Sequence, residues 1–125
     1  MPKVLIVEDS PTQALRTRIA LESQGFEVSI VNDSRQALDT AKAEQPDVIL
    51  SDVRMPGLDG FQLTEAFRAD PVVASTAIVL NSATVNEEED KALALKLGAQ
   101  DYIDKGLAPD TLATALNSAI GRAAA

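Results

Sequence analysis

At 125 residues, 46% hydrophobic and 24% charged, the chain fits one soluble globular domain with a single core; with only 3% aromatics, that core must be aliphatic. A net charge of −8 argues against non-specific binding to nucleic acid or anionic membranes. The absence of His and Cys excludes Ser-His-Asp triads, His-rich zinc sites, phosphohistidine, disulfides and thiolate chemistry within the chain.

Met1-Pro2-Lys3 runs straight into Val4–Val7, a run too short to be expected as a signal peptide's apolar region, and no apolar run approaches the roughly 18 residues of a membrane span. A cytoplasmic location without membrane insertion is therefore expected. Val4–Val7 reads as a strand buried on both faces, ending in Glu8-Asp9-Ser10-Pro11. Pro11 suits a first helical turn capped by Asp9 or Ser10, Leu15, Ile19 and Glu22 share one face, and Gly25 closes the helix. Phe26–Ile30 alternates as a strand with one wetter face. Ser34 is expected to cap a second helix with a stripe of Ala37, Leu38 and Ala41, which Pro46 stops.

Val48–Leu50 is the next buried strand, ending at Ser51-Asp52. Beyond Met55-Pro56-Gly57, Asp59 and Gln62 have capping-box spacing and open a helix with Leu63, Ala66 and Phe67 inward. Ala77–Leu80 forms a fourth strand ending at Asn81-Ser82. A helix from about Glu87 to Leu97 carries Leu93 and Leu97 at i,i+4 spacing, with Gly98 after it. Tyr102-Ile103 marks a short fifth strand, and Pro109 opens a last helix with Leu112, Leu116, Ala119 and Ile120. One domain over residues 1–121 is expected, followed by a short tail over 122–125 that is a frayed end or the stub of a longer protein.

This alternation predicts an α/β fold: a (βα)₅ doubly wound parallel sheet of the flavodoxin-like type, strand order 2-1-3-4-5. Ligands of such sheets bind outside the carboxyl ends of the strands. There the chain carries Glu8 and Asp9, Asp52, Ser82 and Lys105. Three convergent carboxylates repel one another unless a cation joins them, and hard oxygen ligands in an open site suit Mg²⁺. Such an ion would bridge Asp52 to a phosphoryl oxygen, with Lys105 supplying a second positive charge and Ser82 a neutral donor. Asp52 is the expected nucleophile, because carboxylates form labile acyl phosphates.

Four segments carry a resemblance at this point: Val4-Leu5-Ile6-Val7-Glu8-Asp9-Ser10, Asp52 to Gly60, Asn81-Ser82-Ala83, and Gly98 to Lys105. In order and spacing they resemble the receiver domain of two-component response regulators, including the chemotaxis-regulator type, from Lys3 to about Ile120. The resemblance implies a signalling switch rather than an enzyme with a separate substrate, phosphorylated at Asp52 by a histidine kinase or histidine-containing phosphotransfer protein and acting on a downstream output protein or domain. Direct nucleic-acid contact is not expected. It further implies direct metal ligation by Asp9 and Asp52, Glu8 acting through water, and the backbone carbonyl of Arg54 completing the set. Ser82 would bond the phosphoryl group and move toward it, Tyr102 would be the aromatic that turns inward with it, and Arg54 and Thr84 would tune dephosphorylation.

One departure is Gly106, where the family usually has Pro, often cis. Without Pro a cis bond costs roughly 2.5–4 kcal/mol, so a trans, freer loop is expected after Lys105. Ordinary readings also stand beside the functional ones. Tyr102 could be an edge-strand tyrosine with its hydroxyl at the surface. Glu87-Glu88-Glu89-Asp90 complements a helix dipole as readily as it forms a partner face, and Ala92 and Leu95 could lie on an output surface. Rival functions fit less well. A haloacid-dehalogenase-like phosphatase needs an acid where Arg54 stands, and a flavodoxin-like flavin carrier would find its phosphate repelled by Glu8 and Asp9. A phosphorylation-independent pseudo-receiver that only binds partners is the alternative reading, disfavoured because all five site residues are present.

Overall fold

The computed structural model describes residues 1–83 and 88–124. Strands β1 (Lys3–Val7), β2 (Glu27–Val31), β3 (Val48–Asp52), β4 (Ala77–Ser82) and β5 (Asp101–Asp104) alternate with helices α1 (Pro11–Glu22), α2 (Ala37–Glu44), α3 (Gly60–Ala69), α4 (Glu88–Leu97) and α5 (Pro109–Ala124). All strand pairs are parallel, in the order β2-β1-β3-β4-β5, as the sequence predicts.

The aliphatic runs are strands because both of their faces are covered. Leu5, Val7, Ile49, Ile78 and Leu80 pack with Leu63, Phe67, Ala94 and Tyr102 on one side of the sheet. Val4, Ile6, Val48, Leu50 and Val79 pack with Ala14, Leu21, Leu112, Leu116 and Ala119 on the other. β3 is buried at all five positions, so the chain enters the site from the most enclosed strand.

Local signals fix most boundaries. Ser10 caps α1 by accepting from the Gln13 amide, with Pro11 in the first turn. Asp59 and Gln62 form the expected capping box at α3. Gly25, at φ +88°, turns the chain after α1, and the Phe26 amide bonds back to the Leu21 carbonyl.

Several expectations are corrected. Leu15 and Ile19 are solvent-exposed, and α1 instead buries Ala14 and Leu21, a second face of equal helical spacing. Leu93 is exposed while Ala94 faces the core. β2 begins one residue later than Phe26, whose ring is drawn into the core. Ser34 does not cap α2: Asp33 caps a 3₁₀ turn over Ser34–Gln36 that precedes it, and the Ser34 hydroxyl is buried elsewhere. Ala66 is only half-buried.

Candidate functional site

Parallel register brings the strand ends together. Val7 pairs with Ser51, Asp52 with Asn81, and Ser82 with Asp104, so Glu8, Asp52, Ser82 and Lys105 emerge along one edge of the sheet. The Glu8 amide continues the β1–β2 ladder to the Val31 carbonyl, and the Lys105 amide bonds to the Ser82 carbonyl. The backbone beneath the site is thus fixed by the sheet.

Glu8, Asp9 and Asp52 each present a carboxylate oxygen within 4.8 Å of the others. Glu8 and Asp52 are buried, at 6% and 8% exposure, while Asp9 is open to solvent. Lys105 lies against the cluster, its Nζ 2.7 Å from Glu8 Oε1 and 3.0 Å from Asp52 Oδ2. Burial pushes the Glu8 carboxyl up and the nearby charge of Asp52 adds to this, against hydrogen bonds from Lys105 and the Ser10 amide. Burial alone would lower the Lys105 ammonium; hydrogen bonds to Glu8 and Asp52, and their charges, outweigh it and raise the pKa.

One ammonium among three carboxylates leaves a surplus of negative charge, which suits a divalent cation. The donor set, three carboxylates around a partly open hollow, fits a hard oxygen-seeking ion such as Mg²⁺. Lys105 and the Ser10 amide occupy the two oxygens of Glu8, which fits a ligand acting through water better than a direct one.

The remaining predicted residues fall around this centre. Ser82 is buried at the end of β4. Arg54 is exposed and its Nη2 lies 3.3 Å from Asp90 Oδ2 in the first turn of α4. Tyr102 is turned inward, 5% exposed, and its buried hydroxyl finds no hydrogen-bond partner among the described residues; the alternative with a surface hydroxyl is excluded. The Lys105–Gly106 peptide is trans, as expected. Thr84 and Glu87 lie outside the described residues.

Three residues that shape the site escape sequence reading. Gln13 accepts a hydrogen bond from Lys105 Nζ at 2.6 Å. The Ser34 hydroxyl donates to the Pro56 carbonyl and accepts from the Leu58 amide, holding the loop after β3. At Gly60 a Cβ would come within 2.8 Å of the Asp52 carbonyl oxygen, so only glycine lets α3 start this close to the end of β3. Gly60 stands in the motif around Asp52, but spacing alone gives no reason for it. Gln13 carries no local signal beyond polarity, and the capping propensity of Ser34 points to α2 rather than to this loop.

The model of the response regulator receiver domain matches residues 4–117. The chain is 33% identical over 120 residues to the protein PilH of Pseudomonas aeruginosa, covering 96% of this chain and 98% of that one. It is 31% identical to the DNA-binding response regulator MtrA of Mycolicibacterium smegmatis, of which it spans only 51%. Among solved structures, the chemotaxis response regulator CheY4 of Vibrio cholerae superposes with a TM-score of 0.85 at 33% identity, over 95% of this chain and 98% of that one. A putative response regulator from Chloroflexus aurantiacus superposes at 0.89 with 27% identity, over 97% and 98%. A five-stranded sheet in this order, an acidic cluster paired with lysine at its carboxyl edge, and a family match over nearly the whole length agree: the chain belongs to the response regulator receiver domains.

Proposed function

We propose that this receiver domain accepts a phosphoryl group on Asp52 in a Mg²⁺-dependent transfer, from a phosphohistidine on a histidine kinase or phosphotransfer protein. The observation that carries the reading is the contact of Lys105 Nζ with Asp52 Oδ2 at 3.0 Å inside a cluster of three carboxylates. A buried carboxylate with a cation at one oxygen is held in a single orientation, the first requirement of a nucleophile.

Asp9 and Asp52 would hold the metal with the Arg54 carbonyl, and Glu8 through water. The ion supplies charge neutralisation at the phosphoryl oxygens. An Asp52 oxygen attacks phosphorus, the P–N bond to the donor imidazole breaks, and the imidazole leaves with its electron pair. Lys105 and Ser82 donate hydrogen bonds to the oxygens of the resulting acyl phosphate. Water later attacks phosphorus, the P–O bond to Asp52 breaks, and inorganic phosphate leaves the carboxylate restored.

Ser82 and Tyr102 are the proposed switch. The inward tyrosine leaves a buried hydroxyl without a described partner, on the strand next to the one that carries Ser82. The surface of α4, β5 and α5 would pass the change to an output protein or domain. Arg54, bridging to Asp90, and Thr84 are the proposed tuning positions.

Mass spectrometry after incubation with acetyl phosphate and Mg²⁺ tests the reading. A phosphate-sized gain is expected in the wild type, none with EDTA, and none in Asp52→Asn. Wild-type protein that gains no mass with Mg²⁺ present would overturn it.

A further inference from the structure

Lys105 has three ammonium protons, and three acceptors surround it: Glu8 Oε1 at 2.7 Å, Asp52 Oδ2 at 3.0 Å and Gln13 Oε1 at 2.6 Å. Two of these acceptors belong to the acidic cluster and are the groups a divalent cation would compete for. The third is neutral, sits in the first turn of α1, and lies outside the cluster. Resting on the phosphoacceptor reading above, we propose that Gln13 is a positioning residue that tethers Lys105 over Asp52 while the ammonium gives up carboxylate oxygens, which a divalent cation would take, and turns to phosphoryl oxygens.

The need for a tether is visible in the surroundings. A long, flexible lysine stem carries rotamer entropy that must be overcome to hold its head in one place. The Lys105 amide is anchored to the Ser82 carbonyl, but the next residue is Gly106, exposed and with open space where a Cβ would be. Glycine adds backbone freedom directly after the functional lysine. A cleft of about 230 Å³, lined by Glu8, Gln13, Arg16, Thr17, Asn81 and Lys105, gives an untethered ammonium somewhere to go.

Gln13 is well built for the task. Its amide N–H caps onto the Ser10 hydroxyl and its carbonyl accepts from the Thr17 hydroxyl, so the backbone that carries the side chain is fixed at the helix start. An amide oxygen accepts from an ammonium without adding a fourth negative charge, and it does not titrate.

Gln13→Met keeps length and helix propensity and removes the acceptor at an exposed position, so folding should survive. Two measurements decide the matter. In the ¹H–¹⁵N spectrum of the lysine ammonium groups, the Lys105 signal should persist in the wild type with and without Mg²⁺ and be lost to solvent exchange in Gln13→Met. In phosphorylation by phosphoramidate, the saturated rate should fall roughly two- to tenfold, with half-saturating donor and Mg²⁺ concentrations unchanged. In a Lys105→Ala background the same substitution should change nothing, because a tether has no effect without the group it holds. An unaltered Lys105 signal in Gln13→Met, or an equal rate loss in the Lys105→Ala background, would overturn the proposal. Wild-type protein that takes up no phosphate would sink the phosphoacceptor reading instead, and the ammonium spectrum would still decide the tether.

Discussion

Burial sets the chemistry of Glu8. Burial dominates, and the charge of Asp52 adds to it, so the folded-state carboxyl titrates above its ordinary value of 4.5. With the folded value above the unfolded one, its contribution to stability is complete below the unfolded pKa and is lost as pH rises through the folded one. In EDTA, Glu8→Gln should therefore gain stability relative to wild type as pH is raised from 4 to 8. Urea unfolding at several pH values checks this, and a constant or shrinking difference would contradict it. At this scale the sequence was legible where a residue stands at a strand end, since the parallel-sheet rule selects Glu8, Asp9, Asp52, Ser82 and Lys105 from composition and order alone. Gln13 was not legible, because its role depends on where a lysine 92 positions away comes to rest. Tyr102 was open for a related reason: a tyrosine on an edge strand can face either way, and only the packing of α4 decides.

Between elements, the loop after β3 is the part of the site that hydrogen bonds rather than the sheet must hold. Ser34, reaching across from the turn before α2, satisfies both the Pro56 carbonyl and the Leu58 amide, and a Cβ on Gly57 would meet its hydroxyl at 3.0 Å. Gly57 itself has φ +82°, which disfavours any side chain there. This loop carries Arg54, whose carbonyl is the proposed metal ligand. Ser34→Ala leaves two loop groups without their partner, at a cost of about 1–3 kcal/mol. It should also weaken Mg²⁺ binding by calorimetry, whereas a mere packing defect would lower stability and leave the affinity alone. Sequence reading gave Ser34 a capping role because serine before a helix has that propensity. Asp33, one residue earlier, won that position and freed the hydroxyl for a tertiary contact. The faces of α1 and α4 were misread for a kindred reason. Leu15 with Ile19, and Leu93 with Leu97, have core periodicity, but α1 turns Ala14 and Leu21, and α4 turns Ala94, toward the core.

Across the whole molecule, the two ends of the sheet divide the labour. The carboxyl ends of the strands carry the acidic cluster, while the opposite end is closed by Arg68 at the end of α3. Its guanidinium donates to the carbonyls of Gly98, Ala74 and Thr76 and to Gln100 Oε1, joining the α3–β4 and α4–β5 connections. Gln100 in turn accepts from the Ile78 amide at the start of β4. Burial lowers the Arg68 pKa, so the group is desolvated, and carbonyl oxygens replace its water. Arg68→Ala would strip several backbone carbonyls of their donor at once and should cost about 2–4 kcal/mol in urea unfolding. The separation of the two ends makes a sharper demand than the loss of stability alone. Below the unfolding transition the rate of phosphoryl uptake at Asp52 should stay at the wild-type value, and Mg²⁺ should raise the stability of wild type and variant equally. A variant that keeps its stability but loses phosphorylation would show that the two ends are coupled through α3, whose first residue packs against the Asp52 backbone and whose last turn holds Arg68.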